Sequence, residues 1–321
     1  MLSEFELIER YFTRPAAAGA ATLGIGDDCA LLAPAPGRSL AISTDMLVEG
    51  RHFLAACDPR QLGHKALAVN LSDLAAMGAQ PLAFTLALAM PKADEAWLAP
   101  FAQGLFELAD QHHCALIGGD TTRGPLTICI TVFGELLPDQ ALRRDGARAG
   151  DDIWVSGTLG DAALALIGQT DDIALDAAGQ HEAEQRLHTP TPRVALGLAL
   201  AGVAHAAIDI SDGLAGDLTH ILQRSAVGAQ LDVDALPPGP VLQRQPHALR
   251  QRLMLAGGDD YELCFTAAAD ARSAVLAAAQ RTDTIVTRIG SIETEPGLRL
   301  TNRHGTPLTL AVTSFDHFRT P

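Results

Sequence analysis

The hydrophobic and polar positions in the first half of the chain alternate between strand-like and helix-like patterns. Apolar, strand-like runs cover residues 39–44, 82–90, 116–117 and 126–136. Between them, apolar positions spaced three or four residues apart predict a helix from about Arg60 to Met77 and another from Asp94 to His113. Gly78 and Pro81 supply a stop for the first of these helices. Strands alternating with helices predict an α/β fold.

A polar, turn-rich segment separates this half from a second half of similar pattern. Residues 139–150 read DQALRRDGARAG, and strand-like runs then cover residues 152–155, 206–210 and 261–265. Helices are predicted from about Asp161, after Pro192, over 213–225 and from about Asp270. The 321 residues exceed the roughly 250 to 300 at which one core stops growing. We therefore predict an N-terminal domain over 1–138, a linker over 139–150 and a C-terminal domain over 151–321.

The composition excludes several classes of partner. The formal net charge is -15, and Lys65 and Lys92 are the only lysines, which opposes a nucleic-acid or anionic-membrane surface. The N-terminus carries Glu4, Glu6 and Glu9 where a signal peptide would be basic and then apolar, and no apolar run approaches the roughly 18 residues of a membrane span. The five cysteines lack a C-x-x-C pair or another metal-finger spacing. We expect a cytoplasmic protein with reduced thiols that binds neither nucleic acid nor membrane.

Five short segments place aspartates beside glycine, serine or threonine. They are Gly26-Asp27-Asp28, Ser43-Thr44-Asp45, Gly118-Gly119-Asp120, Asp209-Ile210-Ser211-Asp212-Gly213 and Gly257-Gly258-Asp259-Asp260. Several follow strand-like runs, so that Asp45 is expected at the carboxyl end of the 39–44 strand, where functional groups often collect. Magnesium prefers hard oxygen ligands, and glycine lets the backbone approach a phosphate closely. The pattern predicts a magnesium and phosphate site.

The common nucleotide-binding and nucleophile motifs are absent. No Gly-Lys dipeptide exists, which excludes a Walker A loop, and Gly24-Ile25-Gly26 lacks the third glycine of a dinucleotide fingerprint. No His-Arg-Asp loop of a protein kinase is found, and Val155-Ser156-Gly157 lacks the flanking glycine of a nucleophile elbow. What remains is a carboxylate-rich, metal-dependent phosphate site without a cradling lysine.

The acidic segments and their surroundings resemble the thiamine-monophosphate kinase family. The resemblance runs nearly end to end and is carried by residues 24–30, 43–45, 65–78, 117–124, 208–213 and 315–318 in that order. It implies ATP-dependent phosphorylation of thiamine monophosphate to thiamine diphosphate. It also implies the two-domain α/β (α+β) fold of aminoimidazole ribonucleotide synthase and selenophosphate synthetase, whose N-terminal mixed-sheet domains pair into a homodimer.

The resemblance further assigns roles to individual residues. Several Mg²⁺ ions would be held by Asp28, Ser43, Thr44, Asp45, Asp73, Asp120, Asp209 and Asp212. ATP would contact Gly119, Asp120, Arg144 and Ser211, and thiamine monophosphate would contact His52, Asp259 and Phe315. The family commonly has glutamate where Asp259 stands, and often tyrosine or tryptophan at the position of Phe315.

The expected chemistry needs neither a general base nor a covalent nucleophile. A phosphate monoester has its second pKa near about 6, so the acceptor oxygen is already largely anionic at neutral pH. Phosphoryl transfer is then catalysed by positioning and charge stabilisation. Two alternatives stay open: another ATP-using enzyme of the superfamily, of the selenophosphate synthetase type, and a non-catalytic nucleotide sensor. Single residues also have structural alternatives, with Asp73 as a helix cap, His52 in a loop, Arg144 in a solvated linker and Phe315 sealing a groove.

Overall fold

A computed structural model describes residues 3–14, 21–169, 173 and 175–310. The chain forms two compact units. The first comprises the described residues up to Leu74 together with Ala79–Asp139, and the second comprises Ala75–Gly78 and the described residues from Gln140 onward. Within the described part of the chain, no helix is both long enough and apolar enough to cross a membrane.

The described residues up to Leu136 form three α-helices and six strands. The helices are α1 (Glu4–Tyr11), α2 (Pro59–Met77) and α3 (Glu95–Gln111), and the strands are β1 (Ala21–Leu23), β2 (Leu31–Leu32), β3 (Ser39–Val48), β4 (Gln80–Met90), β5 (Ala115–Arg123) and β6 (Thr127–Leu136). Four of the strands form a mixed sheet in the order β3-β6-β4-β5. β4 and β5 are parallel, and the other pairs are antiparallel.

Alternation along β3 decides which of its side chains meet helix α2. Ser43, Asp45 and Leu47 are half-buried or buried, whereas Ile42 and Met46 are exposed on the opposite face. The half-buried face contacts α2, since Ser43 hydrogen-bonds to Asp73 of that helix. Helix α2 is apolar on most of its surface, and its leucines are fully buried. One face of the sheet is therefore covered by α2.

The described residues of the second unit form a six-stranded sheet and six α-helices. The helices are α4 (Asp161–Gln169), α5 (Ala177–His188), α6 (Val194–Leu200), α7 (Leu214–Ser225), α8 (His247–Ala256) and α9 (Arg272–Arg281), and the strands are β7 (Asp152–Ser156), β8 (Ala206–Asp209), β9 (Gly228–Asp232), β10 (Leu263–Ala267), β11 (Val286–Glu293) and β12 (Gly297–Thr301). The strand order is β12-β9-β11-β7-β10-β8, antiparallel except for the β12/β9 pair.

The core of this unit lies around β7, β10 and β8, the three neighbouring strands at one side of the sheet. Every residue of β7, β8 and β10 is buried, as expected for strands covered on both faces. Helix α7 contributes Leu214, Leu218 and Ile221, spaced four and three residues apart, to the same core. This packing holds the carboxyl end of β8 and the start of α7 in place.

The predicted α/β pattern is confirmed, with two differences that matter for the site. The strand expected over 39–44 continues to Val48, so Asp45 lies within β3 and not at its end. The strand expected over 116–117 extends through the glycines to Arg123, which places Asp120 within β5. Both segments pair with a neighbour along their length: β3 with β6 in an unbroken register, and β5 with β4 with one register shift between Leu116 and Gly118. Backbone hydrogen bonds to the neighbouring strand keep residues 43–45 and 118–120 extended, although their sequences are typical of turns.

Candidate active site

Three of the predicted metal ligands meet where β3 faces α2. The Oγ of Ser43 donates to Oδ2 of Asp73 at 2.5 Å. The backbone N–H of Asp45 donates to Oδ1 of Asn70 at 3.1 Å, while Nδ2 of Asn70 donates to the carbonyl of Ala66 at 3.0 Å. Asn70 is fully buried and is thus fixed by its own helix. It holds the strand at Asp45 in register with the helix at Asp73.

Thr44 lies on the other face of the same strand. Its Oγ1 is 2.8 Å from Oγ1 of Thr131 on β6, its partner in the antiparallel register. Since successive side chains of a strand point to opposite faces, the side chain of Thr44 does not join those of Ser43 and Asp45. The structure therefore separates this predicted ligand from its two sequence neighbours.

A cavity of about 450 Å³ in the first unit brings two other acidic segments together. It is lined by the 25–30 segment and by residues 116–121, and therefore by Asp28, Gly119 and Asp120. Gly119 has a φ of +149°, and a Cβ at this position would lie 1.8 Å from the carbonyl oxygen of Leu86. Only glycine fits here. The cavity joins the first and third acidic segments, as a phosphate or metal site requires.

The donor chemistry of these residues fits magnesium. Asp28, Asp45, Asp73 and Asp120 carry hard carboxylate oxygens, and Ser43 adds a hydroxyl, which is the ligand class that Mg²⁺ prefers when a substrate phosphate completes its shell. In the part of the chain that the structure describes, no three acidic, histidine or cysteine side chains already form a metal-binding group. Each Mg²⁺ ion would therefore have few protein ligands, as expected where the phosphates of bound substrates supply the other oxygens of its coordination shell.

In the second unit, the two remaining acidic segments are held against each other by their backbones. The N–H of Asp259 donates to the carbonyl of Ser211 at 2.9 Å, and the N–H of Tyr261 donates to that of Ile210, also at 2.9 Å. A Cβ at Gly258 would lie 2.5 Å from the oxygen of Ser211, so this close approach requires glycine. The 209–213 loop and the 257–262 loop thus form one surface.

A buried carboxylate supports the first of these loops. Oδ2 of Asp217, in the first turn of α7, accepts the N–H groups of Ser211 and Asp212 at 3.1 Å each. Burial raises the pKa of Asp217 to about 7, while the two N–H donors and the charge of Arg144 act in the opposite direction. Arg144 is therefore near this loop, and its side chain is exposed beside an Arg143 that pairs with Asp145.

The second loop is anchored by charged side chains in the core. Glu262 is fully buried and accepts from Arg186 at 2.7 Å, from Arg193 at 2.6 Å twice and from the hydroxyl of Ser156 at 2.6 Å. Both oxygens of Asp260 accept the N–H of Gly160, at 2.9 and 3.0 Å. Burial raises the pKa of Asp260 well above its ordinary value. The loop that carries Asp259 is therefore rigidly held at its carboxyl end.

His52 lies just after β3, and Phe315 lies outside the described residues. The Nδ1 of His52 accepts the N–H of Val48 at 3.0 Å, so its neutral ring carries the proton on Nε2. The backbone N–H of His52 donates to the carbonyl of the same Val48 at 3.0 Å. The end of β3 thus fixes the orientation of the ring, and Nε2–H is the group of the ring that can donate a hydrogen bond to a ligand.

Two family models match the sequence. The N-terminal domain of AIR synthase related protein matches residues 26–136, and the C-terminal domain of AIR synthase related protein matches residues 148–302. The two matches cover more than half of the chain and correspond to its two halves. They confirm the two-domain fold predicted from the sequence.

Named relatives narrow the family further. The chain is 46% identical over 322 residues to the thiamine-monophosphate kinase of Salmonella typhimurium, covering 99% of both proteins. A crystal structure of thiamine-monophosphate kinase from Stenotrophomonas maltophilia K279a superposes with a TM-score of 0.84, at 49% identity over 90% of this chain and 92% of that one. A structure of AaThiL complexed with AMPPCP and TMP matches with a TM-score of 0.75 at 26% identity, over 95% and 96% of the two chains. The chain belongs to the AIR synthase related family and, within it, to the thiamine-monophosphate kinases.

Proposed function

We propose that the protein transfers the γ-phosphoryl group of ATP to the phosphate of thiamine monophosphate, giving thiamine diphosphate and ADP. The observation that carries this proposal is the 46% identity over 99% of both chains to a thiamine-monophosphate kinase. The binding of AMPPCP and TMP by a structural neighbour supports the same pair of substrates. Acidic, glycine-bordered segments in both units fit a reaction between two polyanions.

We further propose that several Mg²⁺ ions are held by Asp28, Ser43, Thr44, Asp45, Asp73, Asp120, Asp209 and Asp212. Bound there, Mg²⁺ would neutralise charge on the phosphates of both substrates. The pairing of Ser43 with Asp73, and of Asn70 with the Asp45 backbone, supports this role, because ligands held in advance cost less to organise. The side chain of Thr44 contacts Thr131 on the other face of β3, so Thr44 would not bind the same side of the site as Ser43 and Asp45.

The remaining residues would bind and orient the two substrates. Gly119 and Asp120, which line the cavity in the first unit, would contact ATP together with Ser211 and Arg144. The guanidinium of Arg144 would supply fixed, planar donors to a phosphate. We propose that His52, Asp259 and Phe315 contact thiamine monophosphate. Neither a general base nor a covalent nucleophile is assigned, since the acceptor oxygen is anionic at neutral pH.

A homodimer and a cytoplasmic location complete the proposal. On the open face of β3, Ile42 and Met46 are 61% and 54% exposed, and an apolar sheet face of this kind suits pairing with a second copy. All five cysteines are free thiols, which together with the use of ATP favours the cytoplasm. Ile42→Asp should convert dimer to monomer in light scattering, whereas Leu276→Asp, at a residue 53% exposed on α9, should not. A monomeric wild type would contradict the dimer.

Product analysis tests the activity directly. The purified protein with ATP, Mg²⁺ and thiamine monophosphate should form thiamine diphosphate and ADP one for one, and chelation of Mg²⁺ should stop the reaction. Thiamine without a phosphate serves as the parallel acceptor and should remain unmodified. Formation of ADP without thiamine diphosphate would contradict the proposal and favour another ATP-using member of the superfamily.

A further inference from the structure

The carboxylate of Asp217 lies beneath the loop that carries Ser211 and Asp212. Its Oδ2 accepts the N–H groups of these two successive residues, and Asp217 is only 4% exposed. A single oxygen that accepts two neighbouring N–H groups fixes the orientation of both peptide planes. Because the carbonyl of Ser211 also accepts the N–H of Asp259, fixing this peptide positions the second loop as well.

These N–H groups have a different use in many phosphate-binding proteins. Consecutive backbone N–H groups ahead of a helix form a concave site for anions, which the helix dipole strengthens. Here the helix α7 begins at Leu214, and the chain's own carboxylate occupies that position. The side-chain groups that the loop presents are the carboxylates of Asp209 and Asp212, which suit a cation and repel a phosphate, and the hydroxyl of Ser211.

We infer that Asp217 is a positioning residue that fixes the 209–213 loop for cation binding and closes its N–H groups to phosphate. The inference rests on the proposed metal and ATP roles of Ser211 and Asp212. Asp217 acts through the two peptide groups and not by contact with the nucleotide. Partners that orient metal ligands in this way typically change metal affinity by about 10-fold to 100-fold when removed.

The same unit contains a matched control. Asp161, in the first turn of α4, is 2% exposed, and its carboxylate accepts the N–H groups of two successive residues, Val241 and Leu242, at 3.3 and 2.8 Å. Burial raises its pKa, as it does for Asp217. Neither Val241 nor Leu242 is a predicted site residue. Asp161 therefore has the structural role of Asp217 without its contact with the site loop.

The test is calorimetric titration of Mg²⁺ into the full-length protein with the non-hydrolysable analogue AMPPCP, which measures binding without turnover. Asp217→Ala should weaken Mg²⁺-dependent binding by about tenfold or more. Asp217→Asn, whose amide oxygen can still accept the two N–H groups, should lose less. Asp161→Asn should lower the melting temperature and leave the dissociation constant unchanged. Asp212→Ala, measured in parallel, tests whether the 209–213 loop binds Mg²⁺ as proposed.

The outcomes separate the positioning role from the site assignment. Weakened binding in Asp212→Ala with wild-type binding in Asp217→Ala would overturn the positioning role and keep the site. Wild-type binding in both variants would overturn the site assignment and the inference with it. An equal loss in Asp161→Asn would also overturn the inference, since a general loss of order would then explain the effect. If Asp217→Ala does not fold, Asp217→Leu, which also lacks an acceptor oxygen, takes its place. Wild-type affinity in that variant, with a tenfold loss in Asp212→Ala, would overturn the positioning role.

Discussion

The two units position their acidic residues by different physical means. In the first unit, regular secondary structure does so: β3 and α2 bring Ser43 and Asp73 together, and the ladder fixes the strand. In the second unit, loops carry the residues, and buried charged groups hold the loops, with Asp217 and Glu262 as the anchors. Loops can present backbone and side chains in arrangements that a strand cannot. They need such anchors because no ladder fixes them.

This difference predicts that function and stability separate differently in the two units. In the first unit, the carboxylates proposed as ligands are partly exposed and contribute little to the hydrophobic core. In the second, the anchor Glu262 forms buried ion pairs, where removing one partner leaves an uncompensated charge. Substitution of a proposed ligand in the first unit should therefore reduce mainly turnover, whereas substitution of the buried anchor Glu262 in the second unit should reduce mainly stability.

The largest expected effect on stability is that of Glu262→Ala. It would leave Arg186 and Arg193, whose side chains are mostly buried, without their carboxylate partner. Breaking a buried pair in this way costs about 3–5 kcal/mol in the free energy of unfolding. Urea unfolding followed by circular dichroism measures it, with Glu262→Gln as the milder variant that keeps an acceptor. A loss below about 1 kcal/mol, the size of an ordinary hydrogen bond, would show that the anchor is dispensable.

Asp45→Ala and Asp73→Ala should show the opposite pattern. Each removes a proposed metal ligand, so turnover should fall at least about a hundredfold, near 2.7 kcal/mol of transition-state stabilisation, while the unfolding free energy stays close to wild type. Steady-state kinetics at saturating Mg²⁺ and thermal unfolding measure the two quantities. Asp110→Ala, which removes only an exposed pair with Arg14, is the control. A variant that kept more than about a tenth of wild-type kcat would not carry a ligand at that position.

Asp259→Ala should have a smaller effect and should act on the acceptor. Losing a charged hydrogen bond of about 1.5–3 kcal/mol would raise the KM for thiamine monophosphate by about tenfold or more. The KM for ATP should change much less. Asp259→Glu, which keeps the carboxylate, should keep the wild-type KM for the acceptor. Equal losses for ATP and thiamine monophosphate would contradict the assignment of Asp259 to the acceptor.

The elements that carry the proposed ligands of the first unit could be predicted from the sequence better than the anchors of the second unit, for a physical reason. Periodicity predicted the helix from about Arg60 to Met77, on which Asn70 and Asp73 are three residues apart and share a face. The structure places both toward β3. The prediction that Asp45 ends its strand was wrong, because pairing with β6 continues to Val48. Strand length depends on a partner distant in the chain, and local sequence does not reveal it.

The anchors of the second unit were missed, although the sequence carries a signal for them. Asp217 lies between the buried Leu214 and Leu218 of α7, and Glu262 directly precedes the buried strand β10. A charged residue inside an apolar pattern indicates a buried, hydrogen-bonded group. Its partners cannot be identified in the same way, since Arg193 and Ser156 are 69 and 106 residues from Glu262. The anchors therefore become visible only with the fold.

The smallest expected effect is that of Asp152→Asn, which tests whether any ion pair on β7 would serve as an anchor. Asp152 lies at the other end of this strand from Ser156 and pairs with Arg272 and Arg288, whose side chains are half exposed. Exposed partners make such pairs weak, so the variant should lower the melting temperature slightly and leave the kinetic constants unchanged. Hydrogen bonding to Arg272, and then to Arg288, holds the pKa of Asp152 below its ordinary value against the opposing effect of burial.

The pH dependence of this variant follows from the sign of that shift. With a lowered pKa, folded Asp152 binds fewer protons in acid than the unfolded chain does, so its stabilising effect is present above the ordinary aspartate value of about 4 and is lost as the pH falls through the folded-state pKa. The difference in melting temperature between wild type and Asp152→Asn should therefore be constant near neutral pH and shrink below about pH 4. A difference that grew in acid, or a fall in activity as large as that of Asp73→Ala, would mean that peripheral ion pairs also position the site. Either result would contradict the conclusion that strand pairing positions the site residues of the first unit, whereas the specific buried anchors Asp217 and Glu262 position those of the second.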